Sequence, residues 1–108
     1  MKTTITARHF ELTEAIKQHI NDKVVQYDSH FSEALEAAFI LDIEAKDYVA
    51  EANVHIRGEV IHSKISTEDM YKSIDSLIHK LVSLLDKNKD KHKNPPDKRI
   101  RKVEPADE

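Results

Sequence analysis

The 108 residues contain no cysteine, a single glycine at Gly58, and three prolines, two of which sit together at Pro95 and Pro96. The lack of cysteine excludes disulfides, thiolate nucleophiles and thiolate metal sites. One glycine cannot build a glycine-rich phosphate loop, and neither a GxSxG elbow nor an HExxH helix is present. Apolar runs extend only a few residues, far short of the roughly 20 that span a bilayer. The opening MKTTITARHF lacks the apolar segment of a secretory signal. A soluble, cytoplasmic, non-enzymatic protein is therefore expected, with no membrane partner.

The chain has 39% hydrophobic and 34% charged residues, which suits one globular domain with a single core. Its formal net charge of −3 hides three blocks. Residues 1–79 carry 8 Lys+Arg against 14 Asp+Glu, residues 80–103 carry 9 against 3, and residues 104–108 carry 0 against 3. Positive charge concentrated in one block steers a polyanion toward that place whatever the total.

Residues 2–7 are rich in β-branched side chains and read as a strand. From about Leu12 to Phe31, apolar residues at Leu12, Ile16, Ile20, Val24, Tyr27 and Phe31 recur at helical spacing. The period then changes to two, with Leu35, Ala37, Phe39, Leu41 and Ile43 expected on one face. Ala50, Ala52, Val54 and Ile56 repeat the pattern, Gly58 turns the chain, and EVIHSKIS forms a third short strand of this run. Ser66 and Asp69 resemble a capping box opening a helix to about residue 90, with Met70, Ile74, Leu77, Ile78, Leu81 and Leu85 on its apolar face. Asn94-Pro95-Pro96 ends any helix, and the apolar-poor remainder is expected to be a mobile tail.

A helix between the first two strands implies a parallel pair, and short connections afterwards imply antiparallel hairpins. The expected fold is α+β, in the order β-α-β-β-β-α. A four-stranded mixed sheet would carry both helices on one face and leave the other face mostly polar. The division is a domain over 1–93 and a charged tail over 94–108.

On a helical wheel, Lys80, Lys87 and Lys91 fall within about 40° of one another, about 100° from the centre of the apolar face. Cations at a helix end also complement the macrodipole, but that effect is confined to the last turn. The lysines run from Lys72 to Lys93 and are followed by Lys98, Arg99, Arg101 and Lys102. Lys17 and Lys23 extend the basic surface only if the two helices pack side by side. Seven histidines invite a metal reading, and His55 and His62 are placed as cross-strand neighbours, but no third ligand accompanies them and no metal or other cofactor is expected. Met70 reads as core, while Tyr71 sits at its edge.

The runs ITARHFELTEAIKQHINDK, VHIRGEVIHS and EDMYKSIDSLIHKLVSLLDKNKDKHK closely resemble the ribosome hibernation promoting factor and protein Y family across about residues 1–93. The resemblance implies a fold similar to double-stranded-RNA-binding domains. It also implies binding to ribosomal RNA of the small subunit in the channel that holds mRNA and tRNA, in competition with both. Translation would be silenced by occlusion in resting or stressed cells. Carried over by position, the RNA-binding residues are Lys17, Lys23, Lys80, Lys87, Lys89, Lys91 and Lys93, to which the charge pattern adds Lys72. Gln26, Ser83 and Leu84 stand where relatives often carry a basic residue.

The chain ends before the dimerisation domain of the family's long forms could begin, so a short form, monomeric off the ribosome, is expected. Short forms either promote inactive ribosome dimers or keep ribosomes as inactive singles; the core resembles the first kind more, but the tail beyond Lys93 is longer than that kind usually shows, which leaves both open. A free-standing domain for structured RNA elsewhere, and a protein–protein adaptor using the polar sheet face, are the alternatives.

Overall fold

A computed structural model describes residues 1–93, with side chains described to Asn88. Its elements are β1 (Lys2–Arg8), α1 (Glu14–Gln26), a 3-10 turn (Asp28–Phe31), β2 (Ala34–Glu44), β3 (Asp47–Ile56), β4 (Glu59–Thr67) and α2 (Met70–Lys93). The strands lie in the order β1-β2-β3-β4, with β1 parallel to β2 and the remaining pairs antiparallel. The order and mixed pairing are those expected from the alternation of periods. The segment 94–108, expected above as a mobile tail, lies outside the described residues.

The core is one layer between sheet and helices. Phe39, Leu41, Ala52 and Val54 from the central strands meet Ile16 and Ile20 of α1 and Ile74, Leu77, Ile78, Leu81 and Leu85 of α2. Small residues at Ala37, Ala50 and Ala52 are fully buried, leaving room for the bulkier side chains of the helices. Each fully buried Leu or Ile contributes about 1.5–3 kcal/mol, so the apolar stripe of α2 dominates its attachment.

Local chemistry moved several boundaries. The expected helix from Leu12 to Phe31 is shorter: Thr13 accepts from the Ile16 N–H and caps α1, Tyr27 closes it, and a separate 3-10 turn buries Phe31. Leu35 does not share a face with Ala37. A register shift between Ala34 and Glu36 inserts an extra residue, leaving Ala34 buried and Leu35 65% exposed. Ser66 is not a helix cap, because it still pairs with Val49 inside β4. Asp69 caps α2 instead, its carboxylate accepting from the N–H groups of Tyr71 and Lys72 at 2.8 and 3.4 Å. The last helix runs to Lys93, past the expected end near residue 90.

A buried polar knot fixes how α2 sits on the sheet. Ser73 is fully buried; its hydroxyl donates to the Tyr48 carbonyl at 2.6 Å and lies 2.7 Å from Thr67 Oγ1. One side chain thus ties the first turn of α2 to β3 and β4, setting which flank of the helix faces outward.

The open sheet face is polar with one buried spot. His9, at φ 66°, turns its ring toward that face, where Nδ1 lies 2.7 Å from Asp42 Oδ1. Asp42 and its cross-strand partner Val49 are both buried there. The hydrogen bond from His9 is the main influence holding the Asp42 carboxyl below the usual carboxylate range; burial opposes it, while the Ile43 N–H and the charges of His9 and Arg8 reinforce it.

Candidate nucleic-acid interface

α2 presents two unlike flanks. On a wheel of about 100° per residue, the buried stripe centres near Met70, Ile74 and Leu81. Lys80 and Lys87 lie on one side of it, and Tyr71, Asp75, Val82 and Asp86 on the other. The contacts identify the second side as the one that meets α1 and the 3-10 turn: Asp75 reaches His19 and Lys23, His79 reaches Tyr27, and Asp86 reaches His30.

Lys80 and Lys87 are exposed and make no ion pair with a described residue. The exposed arc from Lys72 through Ser76, Lys80 and Ser83 to Lys87 contains cations and hydroxyls, and among the described residues no carboxylate. Such an arc offers phosphate oxygens ammonium groups and hydroxyls that can donate.

The remaining predicted lysines stand differently. Lys17 lies 3.4 Å from Glu14 of the same helix, and Lys72 lies 3.5 Å from Glu68 in the turn that precedes α2. Lys23 is the least accessible of the described ones, with a side chain 24% exposed and Nζ 3.8 Å from Asp75. α1 therefore packs beside α2 as the sequence required, but on the flank away from Lys80 and Lys87. Lys89, Lys91 and Lys93 belong to the last turns of α2, and their side chains lie outside the described residues.

Glu68, beside Lys72, has its carboxyl held below the usual range, first by its own backbone N–H and then by the Lys72 charge. The histidines disperse. His62 faces Asn53 across the strands and bonds Glu51 at 2.8 Å, while His55 faces Val60, so the two are offset by two positions and not directly opposed. No group of three or more His, Cys, Asp or Glu among the described residues could hold a metal ion. No described helix is long and apolar enough to cross a membrane.

Sequence reasoning missed the cluster where α1 meets α2. His19, His30 and His79 were read only as metal candidates, yet each bonds across the seam between the helices. A signal was present in the period of α2, where Tyr71, Asp75, His79, Val82 and Asp86 recur at helical spacing on one flank.

In class this is a two-layer α+β domain with a cationic arc along its last helix that, among the described residues, carries no carboxylate of its own. The chain belongs to the sigma 54 modulation protein / S30EA ribosomal protein family, which it matches over residues 3–93. It is 33% identical over 93 residues to the ribosome hibernation promoting factor of Escherichia coli (strain K12), a match covering 86% of this chain and 98% of that protein. A ribosomal subunit interface protein from Coxiella burnetii has the same fold, with a TM-score of 0.78 and 27% identity over 82% of this chain and 98% of that one. The N-terminal domain of Protein Y from Thermus thermophilus shares the fold at a TM-score of 0.74 and 24% identity, covering 82% of this chain and 99% of that one.

Proposed function

We propose that the chain is a ribosome hibernation factor of the cytoplasm that binds ribosomal RNA of the small subunit in the mRNA and tRNA channel and silences translation by occupying it. Family membership supports the ribosome as target. The observation that carries the mode of binding is the arc of α2 on which Lys80 and Lys87 stand without an ion-pair partner among the described residues. A net-negative protein can hold RNA in this way, because each phosphate neutralised releases counterions locally. A lysine and hydroxyl arc contacts the backbone and recognises shape, with little reading of bases.

Lys80 and Lys87 make the direct contacts in this reading. Lys17, Lys23 and Lys72, each already paired with a carboxylate, contribute less, and Lys89, Lys91 and Lys93 add positive charge at the C-terminal end of α2. That segment, with its KRIRK cluster, tunes whether inactive ribosomes gather as dimers or remain single.

Sucrose-gradient sedimentation of ribosomes with the purified protein tests the proposal. The protein should travel with small subunits and be displaced by excess mRNA and tRNA. Sedimentation only at the top of the gradient at 0.1 M salt would refute it. Truncation after Lys93 should preserve co-sedimentation while changing the proportion of dimers.

A further inference from the structure

The seam between α1 and α2 is bridged at three levels by histidine. Toward the start of α2, His19 Nε2 lies 2.7 Å from Asp75 Oδ1, Lys23 Nζ lies 3.8 Å from the same oxygen, and the Tyr71 ring meets the imidazole edge-on at 4.9 Å. One turn on, His79 Nε2 lies 2.9 Å from the Tyr27 hydroxyl. Farther along, His30 Nδ1 lies 2.8 Å from Asp86 Oδ1, with the Tyr27 ring 6.0 Å away.

Other charged residues of these elements are engaged elsewhere or stand apart. Glu14 pairs with Lys17, Asp22 accepts from Gln18, Lys72 pairs with Glu68, and Lys80 and Lys87 lie on the far flank of α2. Asp28, on the turn that carries His30, forms no ion pair among the described residues.

The contact set holds one cation, Lys23, and two anions, Asp75 and Asp86, which leaves a charge of −1 while the three imidazoles are neutral. Protonating all three adds three charges and makes it +2. Imidazole is the side chain whose charge changes between about pH 5 and 8.

The change is also one of hydrogen-bonding character. A neutral ring that donates its one N–H to a carboxylate keeps a bare lone pair on the other nitrogen, which repels a phosphate oxygen; protonation turns that nitrogen into a donor. His19 and His79 engage Nε2, leaving Nδ1, and His30 engages Nδ1, leaving Nε2. Solvent reaches all three, since His79 is exposed and the side chains of His19 and His30 are 27% and 37% exposed.

We infer that this seam is a second phosphate-contact surface, gated by protons, on the flank of α2 opposite Lys80 and Lys87: it repels RNA above neutral pH and binds it as the pH falls. The inference rests on the ribosomal reading above and adds a regulation to it.

Affinity for purified small subunits at pH 8.0 and pH 6.0, with a salt titration at each, tests it. The wild type should bind about tenfold tighter at pH 6.0, with a log-affinity against log-salt slope larger in magnitude by about 2, since three contacts contribute roughly 0.7–0.9 each when fully charged. The triple variant His19→Gln/His30→Gln/His79→Gln should keep the pH 8.0 affinity and lose the gain. His55→Gln/His62→Gln, on the open sheet face, should retain it.

Equal wild-type slopes at the two pH values would overturn the inference, as would a folded triple variant that keeps the gain or a His55/His62 variant that loses it. Should the triple variant fail to melt cooperatively, His79→Gln alone decides, with loss of about a third of the slope gain expected and no loss counting against the seam. Binding at pH 8.0 without a pH effect leaves the ribosomal reading intact. No binding at either pH removes both.

Discussion

On one flank of α2, Lys80 and Lys87 form no ion pair with a described residue, the Glu59 carboxylate of β4 accepting from Asn88 beside them, while on the α1 side Lys23 and two histidines are each matched to an aspartate. Both flanks belong to one helix and both looked basic or titratable in the sequence. The difference shows that a lysine's value to a polyanion is set by what already holds it. A partly exposed ion pair is worth only about 0–1 kcal/mol, so a phosphate can take Lys23 from Asp75, but the aspartate remains and repels the newcomer. The Lys80 and Lys87 flank is constant in charge, and the α1 flank depends on protons.

The strongest attempt to break this contrast is charge reversal on the free flank. Lys80→Glu/Lys87→Glu should lower small-subunit affinity more than about a hundredfold near 0.1 M salt. The melting temperature should hardly move, since exposed substitutions shift stability by about 0.5 kcal/mol or less each. Filter binding and a thermal melt on one preparation check both halves, and retained affinity would erase the distinction between flanks.

The contrast also depends on how α2 is rotated, which Ser73 fixes. Ser73→Ala removes the donor to the Tyr48 carbonyl and should destabilise the domain by about 1–2 kcal/mol in urea unfolding. A neutral result would mean that apolar packing alone orients the helix.

Asp42, on the open face remote from both flanks, is a control whose effect is confined to acid. Its carboxyl is depressed in the folded protein, so its contribution is fully present above the unfolded value near about pH 4 and is lost as the pH falls through the lower folded value. The gap in melting temperature between wild type and Asp42→Asn should close as the pH falls below about 4. A gap that persisted unchanged through that range would contradict the depressed carboxyl.

The smallest effect is expected at Ser63, whose buried hydroxyl faces α2 from β4 without a partner among the described residues. Ser63→Ala should leave stability unchanged or raise it by up to about 1 kcal/mol in the same urea measurement, because no hydrogen bond is lost. A clear loss would reveal a bonded hydroxyl.

Long periodic elements were legible in the sequence. The stripe from Met70 to Leu85 and the alternation of Ala50, Ala52, Val54 and Ile56 announced their buried faces, because burial of one face imposes the repeat of the element. Leu35 misled because one extra residue in a strand reverses the faces, and nothing in ALEAAF marks the bulge. Ser66 misled because β-pairing with Val49 outcompeted capping, while Asp69 could fill that role one turn later.

The candidate site was half visible. Spacing along α2 put Lys80 and Lys87 on one flank, a property of the helix alone. Whether Lys17, Lys23 and Lys72 were free depended on carboxylates, and Asp75 meets Lys23 and His19 only after the core has brought α1 and α2 together. His19–Asp75 and His30–Asp86 each span 56 positions, beyond any local pattern.

The most direct measurement compares two double variants in a salt titration of small-subunit binding at pH 8.0. Lys80→Gln/Lys87→Gln should reduce the magnitude of the log-affinity against log-salt slope by about 1.5, whereas Lys17→Gln/Lys23→Gln should change it by less than about 0.5. Equal reductions, or a larger one from the α1 pair, would contradict the claim that the unpaired flank of α2 is what holds the RNA.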